Sequence, residues 1–89
     1  MTEEEYKRYC LSDLPPGEEG IIEDLVGGRG FRRKLERMGI SNGRKIKKIV
    51  GYPFRGPVTF KIENIGTYSI GYGMAKKIFV DVYESDQKP

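Results

Sequence analysis

Gly27-Gly28-Arg29-Gly30-Phe31-Arg32-Arg33-Lys34-Leu35-Glu36-Arg37-Met38-Gly39-Ile40-Ser41-Asn42-Gly43 reads as a short helix with both ends marked. Phe31, Leu35 and Met38 recur at helical spacing and form one apolar face. Gly39 stands where a helix ends on a left-handed residue, a conformation that glycine takes without steric cost. Leu35 and Ile40 then occupy the two positions that make hydrophobic contact across such an end. The opposite face carries Arg29, Arg32, Arg33, Lys34 and Arg37 against one acid, Glu36, a net +4. The whole chain carries only +3, so the rest of it sums to −1. The positive charge is therefore local, which points to a binding face rather than to a generally basic protein. Arg32, Arg33 and Lys34 are expected in the first turn, where the helix dipole disfavours cations. Arg33 and Arg37 are a like-charge pair one turn apart. Departures from local electrostatics concentrate at sites of use. A solvated face with no partner is the plainer alternative.

Working outward, 89 residues make one domain, near the lower limit for a core without covalent staples. The hydrophobic share of 37% and charged share of 33% suit a small folded globule. Twelve glycines are about twice the usual share of roughly 7%, which calls for many tight turns and short strands. One cysteine, Cys10, excludes an internal disulfide. With no histidine, neither a His-based acid–base pair nor a thiolate–imidazole nucleophile can be built. A Cys/His zinc site within one chain is excluded for the same reason. Cys10 with scattered carboxylates is a poor Fe(II) site, so no catalytic residue, metal ligand or cofactor site is assigned. No apolar run reaches the length of a membrane span. The acidic start Met1-Thr2-Glu3-Glu4-Glu5 does not read as a signal peptide, and a cytosolic setting is expected.

Residues 1–10 read as an extension with a short helix to about Tyr9, opened by a capping box of Thr2 and Glu5. Pro15-Pro16-Gly17 is a rigid turn. Gly20–Val26 reads as a first strand and Arg44 to about Val50 as a second. The loop Gly51–Pro57 follows, with Tyr52, Phe54 and Arg55. Val58, Phe60 and Ile62 alternate with Thr59, Lys61 and Glu63, the clearest strand in the chain. A fourth strand runs through Tyr68 and Ile70. Gly71–Lys77 holds one helical turn, and Ile78 to Tyr83 alternates again. Residues 84–89 form a tail. Five short strands, one helix after the first of them and no repeat predict a mainly β, closed or nearly closed small barrel. Phe31, Leu35 and Met38 would plug one end of it.

Four motifs in collinear order closely resemble FeoA proteins. They are G-x-x-G-x-I leading into the first strand, G-G-R-G-F-R-R-K-L-E-R-M-G-I-S-N-G, P-F-R-G-P-V and A-K-K-I-F-V. The match runs over about Leu11–Tyr83, which sets the main domain at 11–83, and its most specific part is Arg32-Arg33-x-Leu35-x-x-Met38-Gly39-Ile40 with Gly43. The resemblance implies an SH3-like barrel, related to the C-terminal domain of DtxR-type repressors. It also implies a cytosolic accessory of ferrous-iron uptake linked to the membrane GTPase permease FeoB. Lys48 departs from the pattern, standing where the second strand usually carries an aliphatic residue, which leaves room for a bulge or register shift. Gly71 and Tyr72 replace a usual Leu and Arg.

Gly28-Arg29-Gly30 before a helix invites a phosphate reading. The third glycine of a dinucleotide fingerprint is missing and no Gly-Lys-Ser/Thr follows, so a strand-to-helix turn is the better account. Tyr52, Phe54 and Arg55 are residue types enriched in interface anchors, although loop aromatics also cover small barrels. The expected partner surface is thus Arg29, Arg32, Arg33, Lys34, Arg37, Tyr52, Phe54 and Arg55, and the expected function is a non-enzymatic adaptor docking on FeoB at the inner face of the membrane. The alternatives are a single-strand nucleic-acid binder and a barrel acting on a metal-dependent transcription factor. The residual −1 of charge and the lack of a basic stripe along the strands argue against nucleic acid.

Overall fold

Alternation of apolar and polar side chains sets most strands of this protein, and two bulges let the alternation change phase. The computed structural model describes residues 5–51 and 55–83. In chain order the elements are β1 (Tyr6–Cys10), β2 (Glu19–Leu25), α1 (Arg29–Arg37), β3 (Lys45–Gly51), β4 (Val58–Ile62), β5 (Gly66–Ile70), α2 (Tyr72–Ala75) and β6 (Ile78–Tyr83). All strands are antiparallel in one sheet of order β1-β6-β2-β3-β4-β5.

Val58, Phe60 and Ile62 of β4 all face the core, as their spacing requires. They meet Ile46 of β3, Ile70 of β5 and Ile78 and Val80 of β6. In β2, Ile22 and Leu25 are both buried although their odd spacing would place them on opposite faces. The register shift between Ile22 and Asp24 against β6 absorbs the extra residue. A second shift, between Lys48 and Val50 of β3, falls at the site that the sequence marked as irregular.

Leu35 of α1 is fully buried in this core, while Phe31 and Met38 are half-buried and pack against its margin. The helix ends as its sequence dictates. Gly39 has φ +89, its N–H donates to the Glu36 carbonyl, and the Ile40 N–H donates to the Leu35 carbonyl at 2.9 Å. That pair of bonds is the Schellman termination. A Cβ on Gly39 would also sit 3.0 Å from Ile65, so both conformation and space favour glycine.

The N-terminal helix and the count of five strands are corrected by the structure. Tyr6–Cys10 is a sixth strand, in register with β6 from Tyr6 opposite Tyr83 to Cys10 opposite Phe79. A capping box contributes about 1 kcal/mol and nucleates a helix poorly by itself. Strand pairing offers this short segment a full backbone ladder instead. It also places the Arg8 guanidinium on Asp81, with Nε donating to Oδ1 at 2.6 Å and a second nitrogen to Oδ2 at 2.9 Å. Beyond β1 the chain turns and buries Leu11 and Leu14 completely. The turn is tied by the Leu11 N–H to the Ile78 carbonyl and the Asp13 N–H to the Cys10 carbonyl, both at 2.8 Å.

Candidate protein-docking surface

The outer face of α1 is built by the same nine residues that anchor Leu35 inward. Arg29, Arg32, Arg33, Lys34 and Arg37 are all exposed. Gly28 is the N-cap, so Arg29 is the first helical residue. This shifts the expected charge placement: Arg29 and Arg32 sit in the first turn, whereas Lys34 and Arg37 sit in the last, where the dipole favours cations. The dipole penalty therefore falls on two residues instead of three. The first turn holds no acidic side chain and the N-cap makes no side-chain bond to offset it. Arg32 is drawn back, one guanidinium nitrogen donating to the Leu25 carbonyl at 3.2 Å. Among the described residues none of the five forms an ion pair. The single ion pair there is Arg8–Asp81 on β1 and β6.

The structure adds a cation that periodicity did not reveal. Lys77 lies with Nζ 5.3 Å from the centre of the Phe31 ring, which ties it to α1. Its neighbour Lys76 lies 5.7 Å from the Tyr72 ring, and Arg55 lies 5.9 Å from the same ring. Arg55 joins Tyr72 of α2, and the consecutive residues Lys76 and Lys77 link that pair to the basic helix. The signal for Lys77 in the sequence was only its place beside a helical turn; its partner Phe31 lies 46 residues earlier. Tyr52 and Phe54 lie outside the described residues.

Ordinary chemistry at this surface is recognition of anionic groups by guanidinium and ammonium. Among the described residues, no three Cys, Asp or Glu side chains converge to hold a metal ion. No helix among the described residues is long and apolar enough to cross a membrane.

A small antiparallel β-domain with one uncompensated cationic face is the class that this geometry defines. The match to known proteins narrows it. A family model described as the FeoA domain matches residues 9–82, and the chain belongs to the FeoA family. It is 36% identical over 73 residues to a Methanocaldococcus jannaschii protein provisionally named Fe(2+) transport protein A, covering 82% of this chain and 85% of that one. Among solved structures, the crystal structure of an FeoA described as an iron uptake regulatory protein superimposes with a TM-score of 0.77 at 29% identity. The alignment covers 88% of this chain and all of the other. A manganese-dependent transcriptional repressor also matches with a TM-score of 0.77, at 20% identity over 84% of this chain and 41% of the repressor, which is a likeness of fold alone. The fold is thus the mainly β, SH3-like one of FeoA domains. The family is one of accessory transport proteins and is not an enzyme family.

Proposed function

We propose that this chain is a non-enzymatic accessory of ferrous-iron uptake that docks, through the outer face of α1, on the cytosolic part of the FeoB permease and modulates its assembly or activity. The carrying observation is the set of five exposed cations, without an ion pair among the described residues, on a helix whose inner face is fixed by Leu35. Such a face supports fast, salt-sensitive association with an acidic partner. The family match supports the transport setting.

The test is binding of the whole chain to the FeoB cytosolic domain at two salt concentrations, for the wild type and for the Arg33→Glu, Arg37→Glu double variant. The variant is expected to associate more slowly and to lose salt dependence. Equal rates and equal salt dependence for the two proteins would leave α1 a merely solvated face. Loss of binding to single-stranded DNA or RNA, by a protein that never bound FeoB, would favour the nucleic-acid alternative.

A further inference from the structure

The basic face does not end with α1. Residues 25–37 and 71–77 together hold seven cations and one acid, Glu36, and Arg55 adds an eighth cation. The other eight Lys and Arg of the chain are outnumbered by twelve Asp and Glu. The fold gathers the first set. The Val26 N–H donates to the Lys77 carbonyl at 2.8 Å, which ties the end of β2 to the segment after α2. Lys77 in turn lies over the Phe31 ring of α1, and Lys76 and Arg55 lie over the Tyr72 ring of α2.

An aliphatic side chain stands in this corner. Val26 is 49% exposed. Arg32 donates to the carbonyl of Leu25, the residue before it, and Lys77 is bonded to its own backbone, so two cations are brought beside it. Asp24, exposed two residues earlier, is the carboxylate nearest to Val26 along β2, and among the described residues it forms no ion pair with any of these cations. Arg55, Lys76 and Lys77 are all exposed. Among the described residues their charged ends make no hydrogen bond and no ion pair and rest only on aromatic rings. They come from separate segments of the chain.

We propose that this corner, with Val26, Arg32, Arg55, Lys76, Lys77 and Tyr72, rests on anionic phospholipid headgroups and holds the protein against a membrane surface without spanning it. Cations that are not pinned by hydrogen bonds can follow anions that themselves move, as headgroups do, whereas a fixed acidic protein surface is better matched by cations held in place. Tyr72 has the apolar body and polar tip of residues that collect at the headgroup level. Val26 supplies a short apolar contact at the same depth. The proposal goes beyond the docking of α1 on a protein and does not rest on it, since it leaves Arg33 and Arg37 to the protein partner.

The experiment is co-sedimentation of the whole chain with vesicles of phosphatidylglycerol and phosphatidylcholine in equal parts, and with vesicles of phosphatidylcholine alone. The protein is expected to partition onto the first and not the second, and to be released by high salt. A lysine near an anionic surface contributes about fivefold, so Lys76→Gln combined with Lys77→Gln should weaken partitioning about thirtyfold. Val26→Ser should weaken it about threefold by removing a partly buried apolar contact. All these substitutions are on the surface, and the melting temperature checks that the variants fold. The Lys76→Gln, Lys77→Gln variant is expected to bind the lipid-free FeoB cytosolic domain as the wild type does, which separates this proposal from that of α1. No partitioning at low salt, equal partitioning onto the two kinds of vesicle, or folded Lys76→Gln, Lys77→Gln or Val26→Ser variants that partition like the wild type would each overturn it. Loss of FeoB binding in the lysine variant, with no vesicle binding by the wild type, would assign the corner to a protein interface instead.

Discussion

The charge on α1 and the charge at the β1–β6 junction are handled in opposite ways. On α1, five cations stand in solvent without a counter-ion among the described residues, and two of them oppose the dipole at the start of the helix. At the junction, the Asp81 carboxylate is 2% exposed and both its oxygens are taken by the Arg8 guanidinium. That carboxylate holds the Arg8 pKa well above its ordinary value. A bidentate pair with a buried carboxylate is a structural commitment on one side, since removing the exposed Arg8 strands Asp81. Exposed cations with no counter-ion among the described residues cost little to keep and little to lose, which leaves them available to a partner. The contrast separates the residues that hold this domain together from those that are free to bind.

The largest effect should come from beneath the basic face. Leu35→Ala empties a fully buried position and should cost about 2–5 kcal/mol. Thermal unfolding measures it, and an unchanged midpoint would mean that α1 is not anchored through this residue. Next comes Arg8→Ala, which leaves Asp81 buried without its partner. It should lower the melting temperature further than any substitution on the outer face of α1. Arg8→Ala combined with Asp81→Leu should recover much of the loss, because two apolar groups replace a broken pair. Failure of that rescue would make β1 a weaker part of the sheet than its pairing implies.

These two sites also differ in how openly the sequence declared them. The end of α1 was legible because its signals are local: Leu35, Gly39 and Ile40 lie within six residues and act on one another. The alternation of Val58, Phe60 and Ile62 was legible for the same reason. β1 was not, because Tyr6-Lys7-Arg8-Tyr9-Cys10 has no apolar alternation, and its partners on β6 lie 69 to 77 residues away. Local capping chemistry at Thr2 and Glu5 pointed to a helix, and long-range pairing overrode it. The same distance hid the burial of Asp81. Of the proposed docking face, the five cations of α1 were visible as a charge cluster. Lys77 was not, because its link to the cluster runs through the Phe31 ring.

Lys48 sits between the two regimes, buried like Asp81 but without an ionic partner among the described residues, and its titration is open to test. Its folded pKa is lowered, so between that value and the ordinary 10.5 the unfolded chain binds more protons than the folded one. Stability contributed by this group therefore rises with pH through that window. Below the window the protonated group carries its full burial cost. The measurable quantity is the difference in unfolding free energy between the wild type and Lys48→Met, which removes the titrations that the two share. The wild type should gain on the variant as the pH climbs toward 10.5. A difference that stays flat would show that Lys48 is better solvated than its surroundings indicate.

The smallest effects lie on the face of α1, and their signs are the sharpest test of the contrast. Arg29→Glu puts an acid at the first helical position, where the dipole favours it by about 0.3–1 kcal/mol. It also places Glu four residues before Arg33, the favourable order for such a pair, worth about 0.2–0.5 kcal/mol. Both effects raise stability. Arg37→Glu relieves a like-charge pair with Arg33 but puts an acid in the last turn, where the dipole disfavours it. Those two effects oppose, and the melting temperature should stay within a degree or so of the wild type by the usual scaling. Each variant changes the charge of the surface by the same amount, so each should slow association with an acidic partner to a similar degree. Variants that part in stability and agree in binding would establish that the cations serve recognition alone. If binding instead followed melting temperature, the basic face would be acting through the fold, and the distinction between the helix and the β1–β6 junction would collapse.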